Sequence, residues 1–248
     1  MNYNWNWRIF EALSPDGKGT YLDTFLFGLK WTLATALLAW CMALVLGIII
    51  GSLRTTNCRS TVRLGNGYVE LFRNIPLLVQ MFLWYFVIPE LLPRAAGDWI
   101  KALPDSSFVT AVLCLGFYTS SRVAVQVSAG IATLPRGQRM ASTALGLTQW
   151  QTYRYVLLPM ALRIVIPPLT NEFVNVVKNS AVALTIGLME LTAQARSMQE
   201  FSFQVFEAFT LATLLYLAVN TLVVSAMGFI ERKTAVPGMI AAGKAGTR

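Results

Sequence analysis

Two groups of polar side chains recur at helical spacing inside long apolar stretches of this sequence. Residues three or four positions apart share one face of a helix. An ionisable side chain deep in a membrane-spanning helix costs at least a few kcal/mol, so it usually faces an internal path or a protein partner rather than lipid. We therefore expect these residues to line a path for a polar solute: Thr119, Arg122 and Gln126 in one stretch, and Asn171, Asn175 and Lys178 with the adjacent Glu172 in another.

Arg122 carries the most specific chemistry of the set, because a guanidinium in a low-dielectric cavity is suited to bidentate capture of a carboxylate. Two interpretations stay open. Arg122 either contacts a substrate carboxylate or is a structural partner of Glu172 or of an acid on a second subunit. Glu172 and Lys178 are about 240° apart around a helix, so they do not pair with each other within it. Lys178 and the two asparagines either line the path or pack between helices.

Composition indicates what surrounds these helices. Hydrophobic residues make up 55% of the chain and charged residues 13%, whereas about 25% of an ordinary soluble domain is charged. Five stretches are apolar over about 20 residues, the length that an α-helix needs to cross a bilayer. The apolar segment from Ala181 to Leu191 is too short to cross alone, and is either the far end of the fourth span or a separate short helix. An all-α integral membrane protein is therefore predicted, with about five spans at Thr24 to Leu53, Leu71 to Leu92, Phe108 to Leu134, Tyr155 to Val177 and Phe209 to Ile230.

The distribution of basic residues predicts the orientation in the membrane, because short basic loops stay in the cytoplasm. The basic loops thus account for the formal net charge of +8, and no nucleic-acid partner is needed to explain it. We predict a periplasmic N-terminal segment at 1–23, a transmembrane domain at 24–232 and a cytoplasmic tail at 233–248. Tryptophans, Trp5 and Trp7 among them, lie near predicted membrane interfaces. The basic residues concentrate in three segments that lie on one side, which hold Arg54, Arg59 and Arg63, then Arg136, Arg139 and Arg154, then Arg232, Lys233, Lys244 and Arg248.

Several classes of chemistry are excluded by residue type. The chain has no histidine, and its three cysteines, Cys41, Cys58 and Cys114, have no paired spacing. A zinc site or a histidine-based catalytic group is therefore not expected. The tail from Gly238 to Ala245 nearly spells a phosphate-binding loop, but Ala245 lacks the hydroxyl group that would hold magnesium. We expect no catalytic residue, no metal and no cofactor in this chain.

The segment from Leu134 to Pro159, between the third and fourth spans, has the pattern of two short helices around a turn. Pro135 stands where a helix starts and Gly146 where one stops. Thr148 and Gln151 have the spacing of a capping box, which starts a second helix. Such an element either inserts into a groove of a cytoplasmic partner or lies as a surface helix between two spans.

These residues resemble a known family. The segment is similar to the Glu-Ala-Ala loop of binding-protein-dependent ABC transporter permeases, with Ala141, Gly146, Leu158 and Pro159 on the fixed landmarks of that loop. Met140 replaces the family glutamate and Ser142 the second alanine, so the resemblance implies the docking geometry without an ion pair through that glutamate. Two further stretches, Tyr68 to Pro89 and Pro167 to Leu191, resemble the polar amino acid branch of the family, and within it the glutamate/aspartate permeases.

The resemblance implies an arrangement rather than a reaction. It implies the transmembrane domain of a type I ABC importer in the bacterial inner membrane, working by alternating access. A second permease subunit, identical or homologous, would pair with this one among the membrane lipids. Two ATPase subunits would bind ATP and magnesium, and a periplasmic solute-binding protein would deliver the substrate. The residues implied in coupling to the ATPase are Gly137, Ala141, Gly146, Leu147, Leu158 and Pro159.

Rival functions are a channel or secondary transporter that works without an ATPase, and an intramembrane enzyme. The glycine-hinged loop argues against the channel, which would not need it. The lack of histidine and of paired catalytic acids in the spans argues against the enzyme. An acidic amino acid as substrate would suit Arg122.

Overall fold

The computed structural model describes residues 3–15, 17 and 19–234. The near-match to a phosphate-binding loop and most of the predicted tail lie outside these residues, as do the first two positions of the predicted N-terminal segment. Within the described part, the secondary structure is helical apart from a single bridge between Leu13 and Thr20. The α-helices there are α1 (Tyr21–Leu53), α2 (Arg59–Asn74), α3 (Leu77–Phe82), α4 (Ile88–Leu91), α5 (Arg94–Lys101), α6 (Ser106–Ala132), α7 (Arg136–Ala144), α8 (Gln149–Thr152), α9 (Leu158–Asn179), α10 (Leu191–Ser202) and α11 (Val205–Thr234).

Four continuous helical stretches are long and apolar enough to cross a membrane, and the all-helical membrane fold is thereby confirmed. They are α1, α6, the run Gln149–Ile186 and α11. The second predicted span corresponds to a bent pair of helices, because Arg59–Asn74 and Leu77–Leu91 meet at an angle of 100°. The predicted start of this span at Leu71 is wrong, since Leu71 belongs to α2 and the apolar leg begins after Pro76. Proline disfavours helical geometry in the residue before it and removes a backbone donor, which explains the break.

The fourth span is one helical run with irregular turns. A π-helical turn at Tyr153–Leu157 joins α8 to α9, and a 3-10 helix, Ser180–Ile186, continues α9 at its far end. Of the two interpretations of the segment from Ala181, the first is confirmed, because its residues up to Ile186 extend the fourth span. Gly187, with a φ of 87°, then ends the helix. Pro167 and Pro168 lie inside α9 without ending it.

The chain divides into two compact units. The first comprises Met1–Cys41, Ile75–Gly116 and Asn175–Thr221, in so far as these residues are described. Its core joins α1, α10 and α11 and consists of Tyr21, Phe25, Leu191, Ala195, Met198, Ala208 and Ala212.

Glu190 explains how α10 is held in the first unit. Its buried carboxylate accepts hydrogen bonds from the backbone N–H of Thr192 at 2.9 Å and of Ala193 at 2.8 Å, and from the hydroxyl group of Tyr216 at 2.8 Å. A side chain that satisfies the free N–H groups of the first turn stabilises a helix. Burial raises the pKa of Glu190 above its usual value, while these hydrogen bonds oppose that rise.

The second unit comprises Met42–Asn74, Phe117–Val174 and, as far as Thr234, the stretch that begins at Leu222. Its core includes Ile50, Val69 and Ala124, from α1, α2 and α6. Helix α1 approaches α6 closely at Gly47, where an added Cβ atom would lie 2.4 Å from Cγ1 of Val123. Small residues allow such close packing between membrane helices.

Candidate functional site

The centre of the candidate site is an ion pair between α6 and α9 in the second unit. Nε of Arg122 donates a hydrogen bond to Oε2 of Glu172 at 2.8 Å. The Glu172 side chain is 9% exposed, whereas the Arg122 side chain is 38% exposed. The guanidinium also lies over the ring of Tyr118, with 5.9 Å between Cζ and the ring centroid. The buried carboxylate thus has a cation beside it, and the side chain that carries this cation is partly exposed.

This geometry bears on the two interpretations of Arg122. The structural partnership with Glu172 exists in the molecule. A guanidinium has five N–H donors in a planar fork, and the pair uses Nε. The Arg122 side chain is partly exposed, and its guanidinium has donors besides Nε. Neutralising Glu172 and binding an anion are therefore compatible roles for this residue.

The other residues predicted for the path are distributed between the two units. Thr119 and Gln126 lie with Arg122 on α6, where Thr119 is buried and Gln126 is half-buried. Asn171 is exposed on α9, whereas the neighbouring Glu172 is buried, so these two side chains have different surroundings. Asn175, half-buried, and Lys178, exposed, lie farther along α9 in the first unit.

Helix α2 adds residues to this region that the sequence did not suggest. The hydroxyl groups of Tyr68 and Ser120 lie 2.6 Å apart, and Ser120 is two positions before Arg122 on α6. The rings of Phe72 and Phe117 are stacked with centroids 5.4 Å apart. Tyr68 and Phe72 are four residues apart, a helical spacing that could have indicated a packed face. The sequence instead placed Tyr68 in the basic connecting segment and Phe72 at the start of the second predicted span.

Arg54 fixes the end of α1 to both neighbouring helices. Its Nε donates to Oδ1 of Asn66 on α2 at 2.8 Å, and its Nη1 donates to Oγ of Ser128 on α6 at 3.0 Å. Burial lowers the pKa of Arg54, and the nearby Arg73 acts in the same direction, while Glu70 opposes them. Arg54 was predicted only as a topological charge, and its role in holding α2 against α6 is a finding of the structure.

The segment from Leu134 to Pro159, which we call the interhelical loop, has the predicted helix, glycine turn and second helix. Helix α7 follows Pro135, and Gly146 adopts a left-handed φ of 75°. The backbone N–H of Leu147 then donates to the carbonyl group of Ser142 at 3.1 Å. Both hydrogen bonds of the capping box between Thr148 and Gln151 are present at the start of α8.

One side of the interhelical loop is tied to α1. Nη2 of Arg139 donates to the carbonyl oxygen of Thr55 at 3.1 Å and to the hydroxyl oxygen of Tyr153 at 2.7 Å. The hydroxyl groups of Thr55 and Tyr153 are 3.0 Å apart. These contacts connect the end of α1, helix α7 and the π-helical turn before α9.

The interhelical loop also carries large exposed apolar side chains, at Met140, Leu145 and Trp150. The residues implied in coupling include exposed positions, which are Gly137, Ala141, Gly146 and Pro159, and the half-buried Leu147 and Leu158. Exposed apolar surface of this kind marks a site that contacts another protein or the membrane.

The chain is similar to known proteins over most of its length. Residues 43–236 match the family model of the binding-protein-dependent transport system inner membrane component. The glutamate/aspartate import permease protein GltJ of Escherichia coli (strain K12) is 48% identical over 96% of this chain and 98% of its own length. The glutamine transport system permease protein GlnP of the same strain is 30% identical over 83% of this chain and 90% of its own length.

Solved structures agree with the fold. A crystal structure of an amino acid ABC transporter with histidines has a TM-score of 0.72 and 28% identity, over 86% of this chain and 95% of that one. An inward-facing methionine ABC transporter, MetNI, has the same TM-score at 20% identity, over 87% of this chain and 98% of that one, which shows the shared fold alone. The predicted family is confirmed: the chain belongs to the binding-protein-dependent transport system inner membrane components, and it is the permease subunit of an ABC importer rather than an enzyme.

Proposed function

We propose that this permease forms the translocation path for acidic amino acids, glutamate and aspartate, and that Arg122 binds the side-chain carboxylate of the substrate. The observation that carries the proposal is the ion pair between α6 and α9, in which the guanidinium is partly exposed and the carboxylate is buried. A charged hydrogen bond in such surroundings is stronger than one between neutral groups. The similarity to a glutamate/aspartate import permease supports the same substrate class.

In this mechanism Glu172 holds the guanidinium in place, and the substrate carboxylate binds to its remaining donors. Thr119 and Gln126 lie on the same face of α6 and supply polar groups for the amino acid, and Asn171, Asn175 and Lys178 on α9 extend the path. Closure of an ATPase pair on the interhelical loop moves α7, and the Arg139–Tyr153–Thr55 contacts carry the movement to α1 and α9.

The partners in the proposed assembly are a second permease subunit, identical or homologous, two ATPase subunits that bind ATP and magnesium, and a periplasmic solute-binding protein. The exposed residues Met140, Leu145 and Trp150 suit the surface that an ATPase would cover. We propose the orientation given by the basic segments, with the N-terminus periplasmic and the C-terminus cytoplasmic. The transmembrane domain would then extend over 24–232, with the flanking segments 1–23 and 233–248 outside it.

The test is uptake of radiolabelled glutamate by the complete transporter in proteoliposomes. Loss of a charged hydrogen bond should lower uptake by Arg122→Ala about 10- to 100-fold, with assembly of the complex unchanged in a pull-down. Arg196→Ala is the matched control, because Arg196 forms an exposed ion pair with Glu200 at 2.9 Å. Exposed pairs contribute little, so this variant should transport normally.

A double variant separates substrate binding from charge neutralisation. If Arg122 only neutralises Glu172, removing both charges in Arg122→Leu/Glu172→Gln should restore uptake. If Arg122 binds the substrate, the double variant should stay as inactive as Arg122→Leu. Restored uptake would contradict the proposal, and so would an equal loss of uptake and of assembly in Arg122→Ala. Uptake that persists without ATP and the binding protein would instead favour a channel or secondary transporter.

A further inference from the structure

The N-terminal segment of the first unit presents an exposed aromatic surface, which we define as Trp5, Trp7 and Phe206. The two tryptophan rings are stacked, with centroids 5.7 Å apart and planes 8° apart. The ring of Trp5 also lies 5.7 Å from that of Phe206 in the first turn of α11. All three side chains are more than half exposed. A contiguous patch of large aromatic side chains is a binding surface rather than a solvated one.

The segment that carries these rings is fixed in position. Glu207, which is fully buried, accepts a hydrogen bond from the backbone N–H of Asn6 through Oε1 at 2.7 Å. Its Oε2 accepts a hydrogen bond from the hydroxyl group of Tyr3. The ring of Tyr3 packs edge-on against that of Phe206, with centroids 4.6 Å apart. The first turn of α11 therefore holds the segment through a carboxylate and an aromatic contact.

The same segment is held against α1. The ring of Phe10 packs edge-on against that of Phe25, at 6.0 Å between centroids, and Phe25 belongs to the core of the first unit. Helices α1 and α11 are both candidate membrane spans, and the segment contacts each of them near its N-terminal end. The aromatic surface thus lies at the level where two spans leave the bilayer.

The surface also continues into apolar side chains that a span exposes. Along α11, Phe206 is followed on the outside of the unit by Phe209, Leu214 and Leu217, all of them exposed. An exposed apolar face of a membrane-spanning helix contacts lipid. Tryptophan rings combine an apolar body with a polar N–H group and concentrate at the boundary between hydrocarbon and headgroups.

We propose that residues Tyr3–Glu11 form a membrane-surface anchor, in which Trp5 and Trp7 insert into the lipid headgroup region beside the first turn of α11. The occupant of the aromatic surface is the bilayer itself. A soluble protein partner is disfavoured because Phe206, Phe209, Leu214 and Leu217 are exposed on one helix that is itself a candidate membrane span. The anchor is independent of the transported substrate, so it can be tested without transport.

The test is fluorescence quenching of the complete transporter in nanodiscs of phosphatidylcholine. Subtracting the spectrum of Trp5→Phe/Trp7→Phe from that of the unchanged protein isolates the emission of these two among the seven tryptophans. Lipids brominated near the headgroup should quench this difference signal, lipids brominated near the chain end should quench it less, and aqueous iodide should leave it largely unchanged. Phenylalanine keeps the aromatic packing, which guards against misfolding.

A second pair of variants tests how the anchor is held. Glu207→Ala should release the segment and raise quenching of the tryptophans by iodide. Glu11→Ala removes an exposed carboxylate from the same segment and should change nothing. Absence of quenching by brominated lipid in the unchanged protein would overturn the proposal. If the tryptophans are instead shielded from both quenchers and Trp5→Ala/Trp7→Ala abolishes stimulation of ATP hydrolysis by the binding protein, the surface binds a protein and the anchor is refuted.

Discussion

The hydroxyl group of Tyr153 contacts two other residues of this permease, Arg139 and Thr55. It accepts a hydrogen bond from Arg139 at 2.7 Å and lies 3.0 Å from the hydroxyl group of Thr55. The cation of Arg139 also lies over the ring of Tyr153, with 5.6 Å between Cζ and the centroid. The side chain of Tyr153 is buried, so these hydrogen bonds have no ready replacement from water.

Tyr153→Phe removes the hydroxyl group and leaves the ring. We expect a loss of about 1–2 kcal/mol of stability, because the charged donor of Arg139 loses one acceptor. If the contact also transmits movement, the variant should hydrolyse more ATP for each glutamate taken up. The measurements are the thermal midpoint in detergent and the ratio of hydrolysis to uptake in proteoliposomes.

Tyr155→Phe is the control for Tyr153→Phe, since Tyr155 is two residues away and exposed. Its thermal midpoint should match that of the unchanged protein, as expected for a surface substitution. A Tyr153→Phe protein with the same midpoint and the same ratio would show that the contact is dispensable.

The sequence predicted two possible roles for Arg122, and the structure establishes one of them. Its residue type and its place in an apolar helix indicated either a substrate contact or a partnership with Glu172. The distance of 2.8 Å establishes the partnership, and the partial exposure of the guanidinium leaves the substrate contact as a proposal. The contact between Tyr68 and Ser120 was not predictable, because it joins residues far apart in the chain.

Among the elements, the interhelical loop depends on a turn that only glycine adopts easily. Gly146 has a φ of 75°, and an added Cβ atom there would meet no other atom within 4 Å. A substitution therefore acts through backbone strain rather than through a clash. For most residues the left-handed conformation costs about 1–2 kcal/mol, and asparagine tolerates it better than others.

We therefore expect a graded response at Gly146. Gly146→Val should weaken attachment of the ATPase or uncouple it, while Gly146→Asn should be milder, and both proteins should insert normally into the membrane. Co-purification of the ATPase with the permease, followed by uptake, measures both effects. Equal behaviour of the valine and asparagine variants would mean that the turn conformation does not matter.

The elements that the sequence predicted well are those with local signals. Pro135, Gly146 and the capping box of Thr148 determine the interhelical loop from neighbouring residues alone, and hydrophobic length located the spans. The bend at Pro76 was harder, because apolar residues lie on both sides of Arg73 and Asn74, and the apolar pattern predicts a span that starts at Leu71 and Phe72. A hydrophobic pattern shows how long an apolar stretch is, but it does not show where the helix bends. The predicted start of the second span therefore lies about six residues too early.

The subunit as a whole exposes apolar side chains in three separate places. The interhelical loop, α11 and the N-terminal segment each expose large apolar side chains, which in the proposed assembly would contact an ATPase, lipid and the membrane surface respectively. A chain with 55% hydrophobic residues that exposes so many of them is incomplete in water. Its stability is therefore inseparable from the bilayer and the proteins around it.

The bend at Pro76 has a consequence for the membrane. The leg Leu77–Leu91 spans only about 22 Å at 1.5 Å per residue, against about 30 Å of hydrocarbon. Either the bilayer thins around this leg or the permease tilts and distorts to match it. Uptake in vesicles should therefore be fastest in lipids with short acyl chains, and it should become slower as the acyl chains lengthen. The same rate at every bilayer thickness would mean that neighbouring protein shields the leg from the lipid acyl chains.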